Sequence, residues 1–191
     1  MMLHENPIQP DRAAVKRLPI SRSVTYGGLI LALGVLLPQV FHLIGGPAMG
    51  GVLLPMHIPV LLGGFLLGPV WGMVIGAATP ALSSLLFSMP VMPRLLFMVL
   101  ELAAYGLFTG VFYRLLRLPS VVSLLLAMIA GRAVYFLSLL FTLNGLGLQL
   151  PGISSAWLAL TDAVALGVPG MAAQVLLIPL LLAALRKGGL L

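Results

Sequence analysis

The stretch SVVSLLLAMIAGRAVYFLSLLF, residues 120–141, carries a single charge, Arg132, in an apolar run longer than the about 20 residues a helix needs to cross a bilayer. Pro119 precedes it and sets a helix start. A soluble core helix of that length would show a polar stripe, and this one shows none wide enough to face water. The same character extends in both directions. Of 191 residues, 61% are hydrophobic and 7% charged, where an average soluble domain carries about 25% charged residues. Mean hydropathy is +1.17. Beyond residue 22 no segment has the charge to cover a soluble surface, so a soluble enzyme is excluded and the bilayer is the solvent.

Working outward, Pro, Gly and charge divide the chain into six candidate spans at 24–44, 52–67, 69–88, 94–116, 120–141 and 160–185. The expected fold is all-α: residues 1–23 form an N-terminal tail, 24–187 one compact bundle of six transmembrane helices, and 188–191 a C-terminal tail. The second span is short, and Gly63, Gly64, Gly68 and Pro69 allow that region to bend or re-enter. Five spans plus a broken element is the rival topology. No internal repeat or low-complexity tract divides the chain further.

Charge sets orientation. The formal net charge is +6, which in a soluble domain would point to nucleic acid, but here the basic residues sit at the ends of apolar segments. Six spans with the N-terminus inside place Arg12, Lys16, Arg17, Arg22, Arg114, Arg117, Arg186 and Lys187 on the cytoplasmic side. These are all but Arg94 and Arg132 of the 10 Lys+Arg, as the positive-inside rule requires. The segment 142–159 carries no Lys or Arg and faces outward, with Trp157 as an interfacial anchor. The expected location is therefore a cell membrane, multi-pass, with both termini cytoplasmic and no cleaved signal.

Ionisable residues inside a membrane are the informative class, because a charge in hydrocarbon is costly unless paired or facing a cavity. Glu101 lies seven positions beyond Arg94, roughly 10 Å deep at 1.5 Å per residue, and Arg132 nine positions from Phe141, roughly 13 Å deep. His57 enters the second span at a comparable level, between Pro55 and Pro59. Asp162 starts the sixth span, Arg94 the fourth, and Asn144 sits just beyond the fifth. Together, His57, Glu101, Arg132, Asn144, Asp162 and Arg94 are the set an outward pocket for a polar small molecule would need: guanidinium for a carboxylate, with acids, imidazole and amide to fix orientation. The plainer alternative is a Glu101–Arg132 ion pair that locks two helices. Arg94 and His42 read rather as interfacial side chains at span ends, His57 as a cap or a ligand contact, and Asp162 as a helix-start acid or a ligand contact, while Thr79, Ser83 and Ser84 either line the cavity or bond back to their own helix.

Other chemistry is missing from the pattern. There are no cysteines, no phosphate-binding loop, no zinc-site spacing and no paired nucleophile and base. No cofactor, metal or enzymatic activity is implied, and active transport by this chain would need an outside energy source. Gly28-x-x-x-Ala32 in the first span makes a small-residue face that lets another helix approach closely. Gly64, Gly68, Gly72 and Gly76, spaced by four, are assigned to tight internal packing.

The segment LPMHIPVLLGGFLLGPVWGMVIGAATPALS, residues 54–83, resembles the substrate-binding S components of energy-coupling factor (ECF) vitamin transporters. Its most characteristic part is FLLGPVWGMVIG, 65–76, and the similarity continues through ELAAYGLFTGVFYR, 101–114. The resemblance implies a high-affinity membrane subunit that binds a vitamin or related small molecule. Such a subunit docks on a transmembrane coupling protein and two cytoplasmic ATPases, topples in the bilayer and carries the ligand inward. The family's small-x-x-x-small docking contact maps to Gly28 and Ala32, with Gly in place of Ala at the first position. Similarity is nearest to the branch that includes pantothenate carriers, where a carboxylate ligand would suit Arg132 or Arg94; cobalamin, folate, riboflavin and queuosine-precursor branches stay open. Two other classes compete: an autonomous proton-coupled secondary transporter or facilitator, with Glu101, His57 or Asp162 as the coupling residue, and a structural protein in which Glu101–Arg132 is only a lock.

Overall fold

The structure, a computed structural model, describes residues 19–188 and contains six helical spans long and apolar enough to cross a membrane. The tail residues 1–18, with Arg12, Lys16 and Arg17, and residues 189–191 lie outside the described residues. The first span is α1 (Ile20–Gly45). It starts four positions before the expected boundary at 24, because the carbonyl of Pro19 already accepts the Ser23 N–H at 3.0 Å.

The second span is broken, as α2 (Pro47–Leu53) and α3 (His57–Leu67). The expected bend around Gly63 and Gly64 is not where the break falls: both glycines lie inside the continuous α3. The chain leaves α2 at Leu54, whose backbone takes the left-handed conformation (φ 49°), and Pro55 supplies no N–H to continue a helix. A sharp turn at Gly68 (φ 94°) then leads into α4 (Pro69–Phe87), with Pro69 at the first helical position where its missing N–H costs nothing.

Helix α5 (Arg94–Gly110) ends in a π-helical turn, Val111–Leu115, and α6 (Ser120–Leu140) in another, Phe141–Gly145. The last span, α7 (Ala156–Lys187), also begins four positions earlier than expected. The connection before it folds back on the bundle. Ile153 donates its N–H to the Leu150 carbonyl at 3.1 Å, and both side chains pack on the apolar cluster of Phe97, Leu139 and Ala156. At that covered end the π-helical turn carries the fifth span on to Gly145 and α7 begins at Ala156.

The second span forms the axis of the bundle: 61% of it is buried within the protein, against 22–44% for the other five. Val60, Leu61 and Phe65 of α3 are completely enclosed, packed with Leu102 and Tyr105 of α5, Leu124 of α6 and Ile178 of α7. Lipid tails are as apolar as these side chains, so close packing of helices supplies the specificity that the hydrophobic effect supplies in water. Glycine makes that packing possible. At the crossing of α4 and α5, a Cβ on Gly106 would strike the Gly72 backbone, one on Gly72 the Gly106 carbonyl, and one on Gly76 the Leu102 carbonyl.

One end of the bundle is basic, carrying Arg22, Arg114, Arg117, Arg186 and Lys187. There Arg114 donates from Nε to the Phe65 carbonyl at 3.1 Å and from Nη2 to the Leu66 carbonyl. These are C-terminal carbonyls of α3 that lack intrahelical partners, so the guanidinium caps the helix at the Gly68 turn. Arg186 donates to the Tyr113 hydroxyl, and the Tyr113 ring meets Phe65 edge-on at 4.9 Å.

Candidate functional site

At the end opposite the basic one, the break between α2 and α3 opens the bundle. A cavity of about 220 Å³ lies there. Its wall is built by the last turns of α1 (Pro38, His42), by Gly50 and Gly51 of α2, by the break itself (54–57), by the 89–91 connection, and by Arg94 and Met98 at the start of α5. Gly50 is needed beside His42, because a Cβ at that position would come within 2.7 Å of its Nε2. Gly51 lies against Leu166 of α7, 3.0 Å from Cδ2 at the Cβ position, with Arg94 Nη2 at an ordinary contact distance of 4.0 Å.

His57 is the first residue of α3, and its backbone N–H is satisfied by the Leu54 carbonyl at 3.1 Å. The side chain is not satisfied. The residue is only 2% exposed, it lines the cavity, and neither ring nitrogen has a hydrogen-bond partner. Buried polar atoms are nearly always paired, so an imidazole left so marks a place where something else supplies the partner. Its ring meets Tyr105 edge-on, with centroids 5.1 Å apart at 63°.

Behind that contact runs a polar chain. The Tyr105 hydroxyl donates to Glu101 Oε1 at 3.3 Å, and Arg132 Nη1 donates to the same oxygen at 2.8 Å. Glu101 and Tyr105 are one helical turn apart on α5, the spacing that stacks two side chains on one face. Gly131 lets α6 come close enough for this, since a Cβ there would strike the Tyr105 ring. Arg132 Nε and Nη2 are buried without partners. Gly167 of α7 passes next to Arg132 Nη2 and to Leu54, so α7 closes the cluster from the far side.

The structure thus joins three of the six residues expected from sequence, His57, Glu101 and Arg132, through Tyr105, and places Arg94 with His57 on the cavity wall. It does not bring in the other two. Asn144 lies in the π-helical turn after α6 and Asp162 in the second turn of α7; both are exposed and neither lines this cavity. Asp162 does not start the sixth span, because α7 begins at Ala156. Thr79 bonds back to the Ile75 carbonyl at 2.7 Å, the plainer of its two expected roles. Sequence reasoning passed over Tyr105, although its position four residues after Glu101 was a usable signal. It also passed over Gln174 and Gln39, whose amide nitrogens are buried without partners; Gln174 stands alone as a polar side chain in a long apolar run.

The family model for the ECF transporter, substrate-specific component, matches residues 22–191. The chain belongs to that family. No curated protein and no solved structure gave a match. As an S component, the chain is a multi-pass membrane subunit that specifies the substrate of an ECF transporter, with a small molecule as its cargo and the ECF module as its assembly. In this S component Gly72 and Gly76 are packing residues as expected and Gly68 is instead the turn glycine before α4, whereas Gly28 and Ala32 are exposed on α1 and a Cβ on Gly28 would touch nothing.

Proposed function

We propose that this S component captures a vitamin or closely related small molecule in the cavity beside His57 and passes it inward with a transmembrane coupling protein and two cytoplasmic ATPases. The supporting observation is the pairing of a cavity with a buried imidazole that has no partner of its own. With the basic end in the cytoplasm, as the positive-inside rule directs, both termini are cytoplasmic and the cavity opens outward in the cell membrane. Pantothenate is the first ligand to try, on the resemblance to that branch. His57 and Arg94 are the proposed contacts, with Glu101–Arg132 holding the wall behind them.

The exposed small-residue face at Gly28 and Ala32 is the proposed docking contact for the coupling protein. Gly28→Leu or Ala32→Leu is expected to abolish assembly with the module and ATP-driven uptake, while ligand-induced stabilisation of the isolated subunit stays as in wild type. Pull-down of the module alongside thermal shift of the subunit reads both. Lost ligand binding with intact assembly would exclude the assignment.

The overall reading is tested by native mass spectrometry of the detergent-purified chain. A co-purified ligand is expected, because a molecule that binds only the folded state stabilises it and survives purification when binding is tight. Uptake by the chain alone, in vesicles lacking ATPases and abolished by a protonophore, would instead establish an autonomous secondary transporter.

A further inference from the structure

We infer that the cavity takes a small organic acid with an additional hydroxyl or amide group, and that Arg94, not Arg132, sets the requirement for negative charge. The inference rests on the binding-subunit reading above and narrows its substrate class.

Charge is the first argument. Arg94 is the only charged residue among those lining the cavity. Among the described residues the acids are Glu101 and Asp162. Glu101 is held by Arg132 and Tyr105, and no carboxylate lies within ion-pair distance of Arg94. Arg132 is a different case, because its charge is already met at 2.8 Å and it does not line this cavity. Of these two guanidiniums the one with no protein counterion is at the cavity, where a carboxylate can pair with it in the two-pronged geometry that guanidinium favours.

His57 supplies the second argument. A neutral imidazole has one donor and one acceptor nitrogen, so its best partner is a group that can both give and take a hydrogen bond, which a hydroxyl or an amide does. The cavity is open on one side, so a ligand anchored at Arg94 and His57 can extend beyond its volume of about 220 Å³. The rest of the wall is apolar, with Met56, Met89 and Met98 able to adapt to an aliphatic body. Two imidazoles and three thioethers are also soft-metal donors, but Arg94 in the same wall disfavours a cation.

Matched pairs isolate the charge at nearly constant shape: pantothenate against pantothenol and biotin against biotinamide, with nicotinate against nicotinamide as the pair whose acid lacks a hydroxyl or amide, and riboflavin as the probe without a carboxylate. Thermal shift and equilibrium binding on the full-length purified chain are expected to find pantothenate or biotin bound, with its neutral partner at least tenfold weaker. Arg94→Gln is expected to weaken that acid by about tenfold to a hundredfold, the range for a hydrogen bond to a charged group, and to erase the acid's advantage over its neutral partner. The melting temperature of the empty protein should not move, because Arg94 is exposed. Arg94→Lys should restore part of the preference. A neutral partner, nicotinate or riboflavin bound more tightly than both pantothenate and biotin would overturn the assignment of substrate class while leaving a binding subunit in place. An unchanged acid preference in Arg94→Gln would overturn the role of Arg94 alone. A chain that none of the seven compounds stabilises would overturn the inference together with the reading beneath it.

Discussion

Glu101→Leu should destabilise the protein by about 3–5 kcal/mol, the usual cost of removing one partner from a buried ion pair. The cost arises on the other side of the pair. Arg132 loses its only counterion while Nε and Nη2 are already without partners, so a full charge is left in a nearly dry interior. Tyr105 loses its acceptor at the same time. The double change Glu101→Leu/Arg132→Leu should recover most of the loss, since a buried pair can often be exchanged for apolar side chains at little net cost. Unfolding of the purified variants in mild detergent, read as a double-mutant cycle, checks this; additive losses would show that the pair carries no coupling. Ligand affinity in Glu101→Gln, which keeps an acceptor for both neighbours, should be close to wild type, because the pair stands behind the cavity wall.

The match in depth between Glu101 and Arg132 was legible from sequence because helix rise converts position into distance, and both residues interrupt otherwise clean apolar runs. Their meeting at 2.8 Å follows once α5 and α6 are antiparallel neighbours. The six spans were legible for the same reason, composition and length being enough for a bilayer-spanning helix. Arg94 and His57 were grouped from sequence by depth alone, and the wall that joins them was not legible. The cavity exists because the chain breaks at Leu54 instead of at the glycines of α3, and a left-handed leucine gives no sign in sequence. Asn144 and Asp162 stand away from this cavity, Asn144 in the π-helical turn after α6 and Asp162 in the second turn of an α7 that begins earlier than hydropathy indicates. That end of the bundle carries a tertiary contact, Leu150 and Ile153 folding onto Phe97 and Leu139, which hydropathy along one segment does not report.

Glycines divide by what stands opposite them, and the same substitution should have opposite signs at two positions. Gly106→Ala is expected to cost more than about 3 kcal/mol and to lower the yield of folded protein sharply, above the ~1–3 kcal/mol typical of overpacking a core. The added methyl group meets the Gly72 backbone, and backbone within a packed helix cannot swing aside as a side chain can. Relief would require α4 and α5 to separate, and these two helices have the most extensive contact in the bundle. At Gly28 a Cβ meets nothing within 4 Å. There Gly28→Ala should gain up to about 1 kcal/mol, because alanine restricts the unfolded chain and favours helix over glycine. Melting temperatures of the two variants in the same detergent decide the point: a stabilising Gly106→Ala would refute the tight crossing, and a destabilising Gly28→Ala would refute the open face. The openness at Gly28 has a functional reading under the proposed docking contact. Under that proposal the small face is where another helix would approach, and Gly28→Ala should preserve docking where Gly28→Leu abolishes it.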